Sequence, residues 1–199
     1  LGRVIVVSII AGFGTVQIAA NGVANSLDSM GCIVGQAMNL AMITVIGRCV
    51  GAGDSGQVRH YTKKLLKITY VCTFVVNSII LLCLPWILKC YGLSTETTQL
   101  SYILVMIHNG MAMFLWPASF VLPNMLRACN DVRFTMVLSI FSMFMFRIGF
   151  SYIIGVNMGY GAIGVWIAMV LDWIFRVICF VSRYLSGHWL KTAELKDNR

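Results

Sequence analysis

From Ile68 to Leu88 the chain runs for twenty-one residues without one charged side chain. A bilayer hydrocarbon core about 30 Å thick needs about 20 apolar residues in a helix to cross it. Inside that core the backbone must satisfy its own hydrogen bonds, so the run predicts a membrane-spanning α-helix. Further apolar stretches at about 4–20, 24–47, 99–122, 134–156 and 160–183 predict five more. They are too long and too continuously apolar for the strands of a membrane barrel, which alternate over about ten residues. Hydrophobic residues make up 59% of the chain and charged residues 11%, where a soluble domain carries about 25% charged. The expected class is all-α, a polytopic membrane protein whose residues 1–199 form one six-helix lobe with a tail at 184–199. The first span is slightly short, and the chain opens on Leu1 with no charged leader segment. It therefore reads as a fragment that starts inside a helix, and not as a signal peptide.

The basic residues sort by connector. Arg3, then Arg48, Arg59, Lys63, Lys64 and Lys67, then Arg127 and Arg133, then Arg183, Lys191, Lys196 and Arg199 all fall at one end of alternating spans, and Lys89 alone falls at the other. The positive-inside rule places the basic end and the C-terminus in the cytoplasm of a multi-pass protein of the cell membrane. The net charge of +8 is thereby explained by topology, and nucleic acid is not an expected partner. Asp54, with Gln57 three residues on, is expected to cap a short amphipathic helix from Ser55 to about Leu66 that lies at the membrane surface.

Polar groups inside apolar helices are costly and need a partner or a wet cavity. In the second span Asn25, Asp28, Cys32, Gln36 and Asn39 recur every three or four residues, which is one helical face. Gly31 and Gly35 on an adjoining stripe permit close helix approach. Gln36 and Asn39 read either as cavity lining or as interhelical hydrogen-bonding groups. Asp28, about 6 Å from the outer end by this span, reads either as interfacial or as part of a pathway. The fourth span brings His108, Asn109, Met113 and Trp116, then Pro117, which removes a backbone hydrogen bond and should bend the helix. A bent helix with an amide, an aromatic ring and soft methionines suits a pocket for organic cations, and suits a kinked packing helix equally. His108 reads as a hydrogen-bonded core residue or as a proton relay. Arg147 and Asp172 lie at matching depths, about 14 and 18 Å from the outer end, so they are expected to touch. Asp172 and Arg176 form an i, i+4 pair in the favourable order. These three are expected to form an intramembrane ion pair.

Several chemistries find no support. The seven cysteines lack C-x-x-C spacing and read as small buried hydrophobes, so neither a metal nor a cofactor is expected. Gly159-Tyr160-Gly161-Ala162-Ile163-Gly164 matches G-x-G-x-x-G, but no strand precedes it, and a tight turn with close packing is the expected role. No Walker A, H-E-x-x-H or G-x-S-x-G motif occurs, and no enzyme activity is expected.

The run IAANGVANSLDSMGCIVGQAMNLAMITVIGRCVGAGD, the connector LPNMLRACNDVRF at 122–134, and MFRIGF followed by GYGAIGVWIAMVLDWIFRVICFVSRYLSGHW resemble the second half of multidrug and toxic compound extrusion (MATE) transporters. The resemblance covers essentially the whole chain. It implies half of a 12-helix, two-lobe transporter, partnered by an N-terminal six-helix lobe, that exports small organic cations by antiport with Na⁺ or H⁺. The acidic residue that some members carry in the tenth helix corresponds here to Trp116, which resembles the DinF-like branch. A flippase for lipid-linked oligosaccharides of the same superfamily is the alternative. It would want a more cationic cavity than Arg147 and Arg176 supply.

Overall fold

The computed structural model describes residues 2–195, so Lys196 and Arg199 of the basic tail lie outside the described residues. Among those residues every regular element is a helix. A ten-residue α1 (Gly2–Ala11) leads. Five helices long and apolar enough to cross a membrane follow: α2 (Thr15–Gly51), α3 (Ser55–Cys90), α4 (Thr95–Ala128), α5 (Val132–Asn157) and α6 (Gly161–Leu185). A short α7 (His188–Thr192) closes the described chain. The protein is an all-α, polytopic membrane protein. Turns of three or four residues join the long helices, so the chain reverses at each. Large apolar side chains cover the outward faces, with Leu82 72%, Phe114 63% and Ile178 60% exposed. In water such faces would be an aggregation hazard, whereas lipid solvates them.

Two of the expected helix boundaries move. The break expected near residues 21–23 is helix interior, and the chain turns instead at Gly12–Gly14, where Gly14 takes φ +105°. That conformation is one glycine adopts at no steric cost. Asn21 lies within the helix, and its Oδ1 accepts a hydrogen bond from Trp166 Nε1 at 3.1 Å. α1 is therefore only about 15 Å long, half of a bilayer core. The surface helix expected at Ser55–Leu66 is continuous with the following span as one 36-residue helix. Its start is as the sequence indicates, for the Asp54 carboxylate accepts from the Gln57 backbone N–H at 2.9 Å.

Pro117 does not stop α4. Residues Pro117–Val121 wind as a π-helical turn, whose wider spacing of hydrogen bonds accommodates the missing N–H. The second part of α5, Met143–Asn157, is π-helical throughout. The glycine-rich run makes the turn into α6, with Gly159 and Gly161 at φ +75° and +57°. A Cβ on Gly164 would lie 2.8 Å from the Gly155 backbone, so the glycines serve close packing of α5 on α6.

Two apolar clusters fill the interior. One, nearer the basic connectors, includes Met42, Ile46, Val58, Met125, Leu126, Phe180 and Trp189. The other includes Leu27, Leu84, Leu88, Leu104 and Trp166. Polar residues sit where the clusters meet. Asp28 falls between Leu27 of one and Cys32 of the other, and His108 falls between Val105 and Ala112.

Candidate functional site

At that junction Asp28 of α2 meets His108 of α4, with Oδ1 and Nε2 3.1 Å apart. The two helices start at the same end of the bundle. From Thr15 to Asp28 and from Thr95 to His108 is the same thirteen residues, about 20 Å of helix, so the side chains arrive at one depth. Cys32, one turn along α2, donates its S–H to the same Asp28 oxygen at 3.2 Å. On the other side of the ring, His108 Nδ1 lies 3.2 Å from Asn109 Oδ1. Trp166 and Trp173 of α6 stand edge-on to the imidazole, with centroids at 5.1 and 4.7 Å. The histidine side chain is 2% exposed and the aspartate 20%, so the carboxylate is the member that faces outward.

It faces a cavity of about 390 Å³, lined by Asp28, Cys32 and Gln36 of α2, His108, Trp116 and Phe120 of α4, Met143 and Arg147 of α5, and Met169 and Trp173 of α6. Trp116 and Phe120 stack across the π-helical turn at 5.1 Å. Carboxylate, imidazole, indole rings and thioethers thus share one space, where a cation can meet both a counter-charge and π faces. Among the described residues no group of three or more His, Cys, Asp or Glu is placed to hold a metal ion.

The other residues singled out from the sequence go to different places. Asn25 lines a smaller cavity of about 30 Å³ beside Asn21, Arg147 and Trp166. Asn39 lies nearer the basic end, its Oδ1 accepting from Asn124 Nδ2 at 2.8 Å, which makes it a helix–helix hydrogen-bonding group. Asn109 is buried behind His108, and its Nδ2 and the Asn77 Oδ1 have no hydrogen-bond partner. Both atoms would crowd a side chain at Gly31. Met113 sits in an apolar groove with Tyr70, Phe74 and Phe114, away from the cavity. Phe120, Met143, Met169 and Trp173 were not singled out, because apolar residues at helical spacing read as ordinary packing until the cavity identifies them.

Asp172 lies at the centre of the charged cluster on α5 and α6. Asp172 accepts from Arg176 Nε at 3.1 Å and from the Ser142 hydroxyl. Arg176 also donates to the Ser139 carbonyl at 3.2 Å. The Arg147 charge also acts on Asp172. Arg147 donates to Met169 Sδ at 3.3 Å and lines both cavities. Equal depth puts Arg147 and Asp172 at one level, and Arg147, within the π-helical stretch that begins at Met143, lines the cavity as well. Ser142, the last α-helical residue before that stretch, meets Asp172 directly.

The MatE family model matches residues 1–153 of the chain. The chain belongs to the MatE family. "Probable multidrug resistance protein NorM" of Thermotoga maritima is 22% identical over 186 residues, which cover 94% of this chain and 40% of that protein. "Uncharacterized transporter YisQ" of Bacillus subtilis is 30% identical over 71 residues, 36% of this chain and 16% of that one. This MatE chain therefore spans less than half the length of the curated relatives it matches.

Proposed function

We propose that this chain is the second lobe of a cation-coupled exporter of organic cations, working beside a further six-helix lobe in the cell membrane, with the basic end and the C-terminus in the cytoplasm. The observation that carries the reading is the cavity of about 390 Å³, which combines one carboxylate with stacked aromatic rings and methionines. Flat aromatic cations of varied shape fit such a lining, because thioethers and rings adapt to shape while the carboxylate supplies the charge. The drug-resistance name of the Thermotoga maritima relative supports the same substrate class. The oligosaccharide flippase is less well supported, since Arg147 shares the cavity with Asp28 and the lining is not predominantly cationic. An ion gradient, of Na⁺ or H⁺, is the energy source in this reading, with no catalytic residue and no cofactor.

The test is ethidium transport by the intact transporter in everted vesicles energised by an imposed ion gradient. The expected result is gradient-dependent uptake of dye, reduced about tenfold or more by Trp116→Ala, in line with an aromatic cation contact worth 1–2 kcal/mol. Flipping of a lipid-linked saccharide with no dye movement would replace this reading with the alternative.

A further inference from the structure

We infer that a cavity at the basic end of the bundle, between α3 and the turn from α6 into α7, binds the phosphodiester head of an anionic phospholipid. Such a site is independent of what the transporter exports. The cavity holds about 140 Å³ and is lined by Arg59 and Lys63 of α3, Tyr184 and Leu185 at the end of α6, Gly187, and Trp189 of α7. Pockets for drug-sized ligands run from about 300 Å³ upward, so this one suits a small anionic group.

The walls of this cavity are held in place by the protein's own contacts. Gly187 takes φ +68°, a left-handed conformation that suits glycine, and turns the chain from α6 into α7. The Trp189 ring N–H donates to the Tyr184 carbonyl at 3.2 Å, and the two rings stack at 6.2 Å with their planes 8° apart. Arg59 reaches across from α3 and lays its guanidinium 5.5 Å from the centre of the Trp189 ring, and its charge also acts on Tyr184. Lys63, one turn along α3, is exposed and makes no ion pair among the described residues. None of the described residues lining the cavity is acidic. Arg183, the basic residue beside Tyr184, is taken up by both oxygens of Asp131. The charge of the cavity is therefore supplied by Arg59 and Lys63. A guanidinium carries five N–H donors and lies flat on an aromatic ring while its edge meets a phosphate, and a neighbouring ammonium adds a second charged donor.

Depth and surroundings assign the phosphate to a lipid. The uncharged run of α3 begins at Ile68, and Lys63 stands five residues earlier, about 8 Å of helix. The headgroup layer adds about 5–8 Å on each side of the hydrocarbon core, so Lys63 sits at its level. Leu185, at the rim of the cavity, is 75% exposed, and Ile178, Ile174 and Ile167 continue from it as exposed residues of α6. Steps of seven, four and seven residues keep these four on one stripe of the helix. An acyl chain leaving a head in the cavity meets that stripe at once, and each buried methylene adds to the affinity. A free phosphate carries the same charge and gains nothing from the stripe. Basic pockets at the ends of membrane helices recognise lipid heads by the same combination of charge and depth.

The experiment titrates phosphatidylglycerol into detergent micelles holding the intact transporter and follows the unfolding midpoint. A ligand that binds only the native state raises that midpoint. Phosphatidylglycerol is expected to raise it, and zwitterionic phosphatidylcholine is expected not to. Lys63→Gln is expected to weaken the apparent affinity for phosphatidylglycerol about tenfold, the loss of one charge-assisted hydrogen bond. Lys64→Gln removes the same charge at the same depth, but about 100° round the helix and outside the cavity lining. It is expected to weaken the affinity no more than about twofold. Both lysines are exposed, so neither change disturbs packing. Equal weakening by the two variants would reduce the effect to diffuse attraction and overturn the site. Equal midpoints with the two lipids would overturn it as well. Inorganic phosphate that raises the midpoint as much as phosphatidylglycerol at the same concentration would overturn the lipid assignment in favour of a free anion.

Discussion

Gly35 of α2 and the Trp116 ring of α4 share a space that admits no side chain between them, since a Cβ built on Gly35 would overlap the ring carbons. The glycine lets the helices approach until the indole lies on bare backbone, and the same approach brings Asp28 within reach of His108 about two turns earlier. Small residues set interhelical distance in a membrane because no hydrophobic force does so. Gly35→Ala is therefore expected to cost about 1–3 kcal/mol by overpacking and to push Trp116 into the cavity. Gly47 on the same helix has nothing within 4 Å of a Cβ, so Gly47→Ala is expected to leave stability unchanged or raise it by up to about 1 kcal/mol through helix propensity. Thermal unfolding followed by fluorescence-detected size exclusion compares the two. Equal midpoints for both variants would refute the packing argument.

Asp172 is fully buried and Arg176 nearly so. Removing one partner of such a pair leaves an uncompensated charge, at about 3–5 kcal/mol. Arg176→Met alone is expected to lose that much, whereas Asp172→Asn with Arg176→Met is expected to recover most of it. A double-mutant cycle on unfolding midpoints measures the coupling, and additive effects would show that the pair does not act as a unit.

The sequence made the class, the long spans and the Asp54 cap legible, because length, apolarity and capping chemistry are local properties. It also placed Asn25, Asp28, Cys32, Gln36 and Asn39 on one helical face, of which Asp28, Cys32 and Gln36 line the cavity while Asn25 and Asn39 do not. What stayed hidden was the partnership across helices. Starting α2 at residue 24 put Asp28 about 6 Å deep, far from the level of His108. Starting it at Thr15 puts both thirteen residues in. The error came from a single turn at Gly12–Gly14 that apolar periodicity cannot locate, because the residues on both sides are equally apolar. For Arg147 the depth matched that of Asp172, and its place in the cavity lining was hidden. A π-helical stretch changes the angle at which each side chain leaves the axis, and hydropathy carries no sign of it.

The α4–α5 turn is tied to α6 by a second charge pair. Arg183 donates to both oxygens of Asp131 at 2.7 and 3.2 Å, and its guanidinium lies 4.4 Å from the centre of the Phe134 ring. Arg183→Lys keeps the charge but loses the bidentate fork and the flat stack. It is expected to destabilise by about 1–2 kcal/mol, less than Arg183→Ala, which strands the 5% exposed Asp131 and is expected to cost about 3 kcal/mol. Unfolding midpoints that rank lysine below alanine would remove the fork from the account.

Two cysteines at opposite ends of the bundle report on both reactivity and orientation. Cys90 closes α3 at the end away from the basic connectors and is exposed. Cys129 lies in the turn between α4 and α5, where burial first and the charge of Asp131 second push its thiol up to about 12. At pH 8 only about one Cys129 in ten thousand is then a thiolate, since each unit is tenfold, and the thiolate is the nucleophile. Raising the pH from 7 to 9 increases that fraction a hundredfold and still leaves it near one in a thousand. With single-cysteine variants of the intact transporter, a membrane-impermeant maleimide on whole cells is expected to label Cys90 and not Cys129. After lysis in mild detergent, Cys129 is expected to remain slow at pH 8 and to react fully only once the protein is unfolded. Whole-cell protection of Cys90, with labelling on everted vesicles instead, would invert the proposed topology and move the C-terminus outside.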